Sequence, residues 1–233
     1  MTFLHGFALD GRMWSAQARA LEATHRTLAA DLPGFGPQGS ANAPECPALA
    51  VLDVLDRLGV ARTHLVGHSL GGAVAVDLAL AHPERVESLT LVNALLLGLP
   101  TGIASRAACT VAAREGRFDD ARRAWFDDAL FDGVRPGVFA EAERLARDYA
   151  CGHWTGEVSL CWIVESPLER LGELGMPALV VNGEGEPPPF LAMAAEYAGR
   201  MARARRVVLA DTAHLSSLEA PDAFLAALRT LIG

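Results

Sequence analysis

The chain has 233 residues, of which 51% are hydrophobic and 21% charged, and its formal net charge is -8. That length supports one large domain with an ample core, or a core domain carrying a smaller insertion. The acidic balance, without a basic cluster, argues against a nucleic-acid binder, and the apolar runs break well before the ~20 residues of a membrane span.

The opening MTFLHGF has no basic segment followed by an apolar core, so it does not read as a secretory signal, and a cytoplasmic location is expected. Thr2-Phe3-Leu4 reads as a short strand delivering His5-Gly6-Phe7, followed by a helix over 13–21 and a strand over 26–30. A turn-rich loop occupies 31–36, and a helix over 47–58 stops at Gly59. The apolar run over 62–66 reads as a third strand that runs into Gly67-His68-Ser69-Leu70-Gly71, after which a helical pattern extends to Ala81. A fourth strand is expected over 86–92. From 96 to 171 no strand pattern occurs, and helices are expected over 103–114, 117–130, 137–149 and 157–166. The strand–helix rhythm resumes with a strand over 178–181, a helix over 190–200, a strand over 206–209 and a helix over 217–231. Arg200 to Arg206 alternate with apolar residues and read as a helix end entering a strand. This order predicts an α/β fold with a mostly parallel sheet of about six strands. The expected organisation is a core over 1–96 and 172–233, with a helical lid over 97–171 inserted after the fourth strand.

In a parallel sheet, functional groups gather beyond the C-terminal strand ends. G-x-S-x-G between a strand and a helix is the pattern of a nucleophile elbow, with Ser69 at its tip and glycines leaving room for a strained turn. A serine, an acid and a histidine follow at three strand ends in that order, the chain order of elbow hydrolases. Ser69 is the expected nucleophile and His214 its base. For the acid, Glu186, fixed by Pro187-Pro188-Pro189, stands ahead of Glu184, with Asp211 and an acid from the lid as lesser candidates. The backbone amides of Phe7 and Leu70 are the candidate oxyanion donors. His68 is expected to pack locally and His5 to hold its own loop. His25, His64 and His82 lack a strand-end position, whereas His153, beside Trp154, is a candidate pocket residue. Trp125, Trp154 and Trp162 line an acyl pocket or pack the core. Arg114, Arg117, Arg122, Arg123 and Arg144 in the lid either bind a distal carboxylate or carrier-protein surface or form a solvated face. The four cysteines, Cys46, Cys109, Cys151 and Cys161, include no C-x-x-C. They are expected as small buried apolar side chains rather than metal ligands or a disulfide scaffold.

The segments LHGFALDGRMW (4–14), DLPGFG (31–36), VGHSLGGAVAVDLALAHPERVESLTLVN (66–93), PALVVNGEGEPPP (177–189) and DTAHLSSLEAPDAF (211–224) together resemble the α/β-hydrolase superfamily. The likeness is to its serine esterase, lactonase and carbon–carbon hydrolase group, with opening motifs similar to those of pimeloyl-carrier-protein methyl ester esterases. Menaquinone-pathway lyases and 3-oxoadipate enol-lactonases are comparable. The resemblance implies oxyanion amides at Phe7 and Leu70, the nucleophile at Ser69, the histidine at His214 and the acid at Glu186. Three departures stand out. The usual N-terminal strand pair is missing before His5, so either the sheet is shortened there or the gene start is misplaced. Glu186 occupies the place of the usual aspartate, and Gln38 that of a small-turn serine. A serine nucleophile argues against haloalkane dehalogenase and epoxide hydrolase chemistry. The implied activity is hydrolysis of a small to medium carboxylic ester through an acyl-enzyme, without cofactor or metal, by a monomer or homodimer acting on a small-molecule or carrier-linked ester. The alternatives are a lactone or carbon–carbon bond hydrolase (or related lyase) with the same triad, and a non-catalytic ligand-binding member.

Overall fold

Strands buried on both faces carry near-continuous apolar runs, which is how Leu65-Val66, Leu89-Thr90-Leu91-Val92 and Ala178-Leu179-Val180-Val181 read. In the computed structural model, which describes residues 1–37 and 46–233, these runs form the centre of a six-stranded sheet. The position of Gln38 lies outside the described residues. The strands are β1 (Thr2–Leu4), β2 (Leu28–Ala30), β3 (Thr63–His68), β4 (Val86–Val92), β5 (Ala178–Gly183) and β6 (Ala204–Leu209). All adjacent pairs are parallel, in the order β2-β1-β3-β4-β5-β6. The chain moves outward from β1 to β2 and then returns to the other side of β1 with β3. The order therefore reverses between β1 and β3, and the crevice beyond their C-terminal ends is where such sheets bind ligands.

Helices α1 (Ser15–Leu21), α2 (Pro47–Arg57) and α3 (Leu70–Ala81) belong to the first half of the core. Pro47 starts α2 where its missing N–H costs nothing, and Ala48, Val51, Leu52 and Leu55 form its buried stripe. Eleven of the twelve residues of α3 are buried, so this helix is apolar all round and runs through the middle of the molecule. Between β4 and β5 the chain forms α4 (Arg106–Arg114), α5 (Phe118–Phe126), α6 (Pro136–Ala146), α7 (Gly152–Thr155) and α8 (Pro167–Arg170). The second half of the core adds α9 (Pro188–Arg200), α10 (Ser216–Glu219) and α11 (Pro221–Ile232).

The expected strand and helix order is present, with two corrections, one in the cap and one among the cysteines. Residues 157–166 are not helical. Asp77 of α3 accepts the amides of Ile163 and Val164 at 2.9–3.1 Å, so these N–H groups face the core instead of a helical ladder. Burial pushes the Asp77 carboxyl above the usual carboxylate range, while the two amides pull it back. The second correction concerns the cysteines. Cys109 and Cys151 are buried and free as expected, but Cys46, just before α2, is disulfide-bonded to Cys161, 115 residues away. Such bonds are found mainly in oxidising compartments, unlike the cytoplasm expected from the N-terminus. Trp162 thus sits between two fastenings, the disulfide at 161 and the Asp77 clamp at 163 and 164. Cys161→Ser is expected to lower the unfolding free energy by about 2–4 kcal/mol, because the unfolded chain loses a long loop constraint. Urea unfolding measures this, and an unchanged midpoint would contradict it. The denatured, unreduced protein should titrate two thiols, not four.

Candidate active site

Ser69 lies between β3 and α3 with φ 48° and ψ -113°, in the left-handed half of backbone space that a non-glycine residue adopts only under constraint. The constraint comes from both sides. A Cβ on Gly67 would run into the Gly71 backbone, and a Cβ on Gly71 into the carbonyls of Leu4 and His5. Only glycines allow β3, α3 and β1 to approach this closely, and the turn holds the Ser69 side chain at the crevice.

His214 follows β6, and its Nε2 lies 3.2 Å from Ser69 Oγ. Its Nδ1 lies 2.6 Å from Glu186 Oε1, in the loop after β5. An ionised carboxylate only accepts, so Nδ1 carries the proton and Nε2 presents a lone pair to the serine. His214 is 2% exposed and Glu186 is 3% exposed, and the imidazole packs edge-on against Phe190 at 4.8 Å. Of the rival acids, Glu184 is exposed and accepts the Asp211 amide at 3.3 Å, while Asp211 is itself exposed. Neither reaches His214.

Two residues without a role in the sequence reading hold Glu186 in place. Asn93, at the end of β4 with φ 46°, donates from Nδ2 to Glu186 Oε2 and to the Ala213 carbonyl, the latter at 3.2 Å. Ser216 Oγ donates to Asn93 Oδ1 at 2.5 Å, fixing the orientation of the amide. The signal for Asn93 was its strand-end position; nothing local marks Ser216. Glu219 accepts the Ala213 amide at 2.8 Å and the Arg135 amide at 3.1 Å, tying the histidine loop to the start of α6.

The other histidines serve local structure or line the cavity. His5 accepts the Leu32 amide on Nε2 and donates from Nδ1 to the Gly6 carbonyl, both at 2.8 Å, so it holds the loop between β1 and the 31–36 turn. Burial keeps it neutral by lowering its pKa. His68 packs beside His214, ring centroids 5.1 Å apart, and burial, with a smaller push from His214, holds it well below the usual imidazole range. His153 stacks on Phe35 at 4.2 Å, and burial lowers its pKa to about 4.

Ser69 opens into a cavity of about 510 Å³, lined mainly by apolar and aromatic side chains, a size suited to a small organic ligand. Phe7, Leu70, Trp125, Trp154, Trp162 and His153 all contribute to its wall. Leu70 begins α3, where its N–H has no acceptor inside the helix, and Phe7 lies in the turn after β1. The five arginines singled out in the lid do not line the cavity. Arg117, Arg122, Arg123 and Arg144 pair instead with acidic neighbours on their own helices or adjoining turns. Among the described residues there is no cluster of histidine, cysteine or carboxylate groups fit to hold a metal, and no helix is long and apolar enough to cross a membrane.

Elbow, strand-end histidine and acid, and a cap over the crevice define a class, and the model of the alpha/beta hydrolase fold family matches residues 1–221. The chain belongs to that family. It is 31% identical, over 99% of its length, to the dihydrolipoyllysine-residue acetyltransferase component of the acetoin cleaving system of Cupriavidus necator, and spans 63% of that protein. Over 40% of its length it is 38% identical to the pimeloyl-[acyl-carrier protein] methyl ester esterase of Aeromonas hydrophila, covering 36% of that enzyme. Among solved structures, the enol-lactonase from Burkholderia xenovorans LB400 superposes with a TM-score of 0.79 at 25% identity, covering 99% of this chain and 90% of that one.

Proposed function

We propose that the chain is a serine carboxylic-ester hydrolase working through an acyl-enzyme. The observation that carries this reading is the hydrogen-bonded series from Ser69 Oγ through His214 to Glu186, opening on an apolar cavity. Ser69 Oγ attacks the ester carbonyl carbon while His214 Nε2 takes its proton. The carbonyl electron pair becomes an oxyanion, stabilised by the amides of Phe7 and Leu70. Glu186 stabilises the positive imidazole that forms. Collapse of the tetrahedral species breaks the bond to the alcohol, which leaves with the proton from Nε2. Water then enters, gives its proton to Nε2 and attacks the acyl carbon, and a second collapse returns Ser69 and releases the acid. These steps need no group beyond the side chains and amides named.

A lactone is the cyclic form of the same bond, so the enol-lactonase likeness fits this chemistry. The test is covalent trapping. Enzyme quenched with acid during turnover of an activated ester should gain the mass of one acyl group. Full turnover with no such species would argue for direct attack by water.

A further inference from the structure

Resting on the ester-hydrolase reading, we propose that Arg106 binds a carboxylate at the end of the substrate's acyl chain remote from the scissile ester, making this an esterase for half-esters of dicarboxylic acids. Arg106 is the first residue of α4 and lines the same cavity as Ser69. Among the described residues it is the one formally charged side chain in the cavity wall, since the other titratable group there, His153, stays neutral near pH 7, with its pKa lowered to about 4. Among the described residues no carboxylate lines the cavity. Five of the lid's other arginines show what a structural role looks like here: Arg117, Arg122, Arg123, Arg144 and Arg170 hold acidic partners, and none of the five lines the cavity. Arg106 forms no ion pair or side-chain hydrogen bond among the described residues.

The surroundings of Arg106 favour an anion from the substrate over one from the protein. Asp128 already accepts the amides of Ala104 and Ser105 at 2.8–2.9 Å, so the exposed donors before α4 are occupied and the guanidinium is left to act alone. Thr110, one turn further along α4, also lines the cavity, and a spacing of four places it on the face that carries Arg106. A guanidinium and a hydroxyl thus share one wall of an otherwise mainly apolar space. The chain's net charge of -8 makes the general field repel anions, so within the cavity it is Arg106 that offers a carboxylate local attraction. The guanidinium fork suits a carboxylate through two parallel charge-assisted hydrogen bonds. With Ser69 held at the elbow and the Arg106 backbone held in α4, the match depends on the number of methylenes between ester and carboxylate.

The experiment compares kcat/KM for monomethyl esters of linear dicarboxylic acids with that for methyl alkanoates of equal length, over chains of about four to nine carbons. The wild type should favour the carboxylate-ended ester by about tenfold or more, with a maximum at one chain length. In Arg106→Ala that ratio should fall to one or below, and Arg106→Glu should favour an ω-amino ester instead. A ratio that is the same in wild type and Arg106→Ala, or never above one, overturns the proposal while leaving the esterase reading intact. If neither series shows Ser69-dependent turnover, the esterase reading fails, and binding decides about Arg106. Fluorescence of the cavity tryptophans in Ser69→Ala then reports affinity for each ester. Tighter binding of the carboxylate-ended ester, lost on adding Arg106→Ala, supports the anion site. Equal binding removes it.

Discussion

Ser69→Ala is expected to lower kcat for a p-nitrophenyl ester by between about ten-thousand-fold and a million-fold, with KM little changed. The substitution deletes only Oγ, which among the described residues hydrogen-bonds to His214 Nε2 at 3.2 Å. The elbow itself is held by glycine contacts and by the Ser69 amide, which donates to the Val92 carbonyl at 3.0 Å, so alanine keeps the backbone as it is. Substrate binding relies on the cavity wall and persists. The residual rate expected is that supplied by the proposed oxyanion amides and by orientation, which need no nucleophile from the protein. Steady-state hydrolysis with matched circular dichroism checks the prediction. A variant retaining a tenth of the wild-type rate would remove Ser69 from the chemistry.

Glu186→Gln should cost about ten-thousand-fold in kcat, close to 5.5 kcal/mol of transition-state stabilisation. The reason lies in the partners of the carboxylate. Asn93 Nδ2 donates to Oε2, and a glutamine would turn its carbonyl oxygen toward that donor. Its NH2 group then faces His214 Nδ1, where Glu186 Oε1 now lies 2.6 Å away. An N–H donor there forces the proton of the imidazole onto Nε2, which can no longer accept from Ser69. Glu184→Gln is the matched control, because Glu184 is exposed and its recorded contact is the Asp211 amide. Rates for the two variants separate the candidates. A greater loss in Glu184→Gln would reassign the acid.

How much of this was legible follows from where each residue takes its instructions. Ser69, His214 and Glu186 stand at strand ends, and the parallel sheet, readable from alternating apolar strands and helices, brings strand ends together. The glycines flanking Ser69 mark their own turn. The choice of Glu186 over Glu184 depended on position along one loop, and the proline run after it was the useful local sign. The cap was less legible because its conformation is set by distant partners. Residues 157–166 carry a composition that permits a helix, yet Asp77 and the Cys46–Cys161 bond draw them into an irregular path. Two cysteines separated by 115 residues leave no spacing pattern to read. Arginine enrichment in the lid left both an anion site and a solvated face open, and which arginine faces the cavity depends on how α4 packs. Asn93 and Ser216 act through Glu186, so their roles exist only once three loops meet.

The most direct measurement is peptide mapping of enzyme quenched with acid during turnover of an activated ester. One acyl group on the peptide containing Ser69, absent after Ser69→Ala, is the expected result. An acyl group carried by another residue would contradict the assignment of Ser69 as nucleophile, as would full turnover with no acylated peptide.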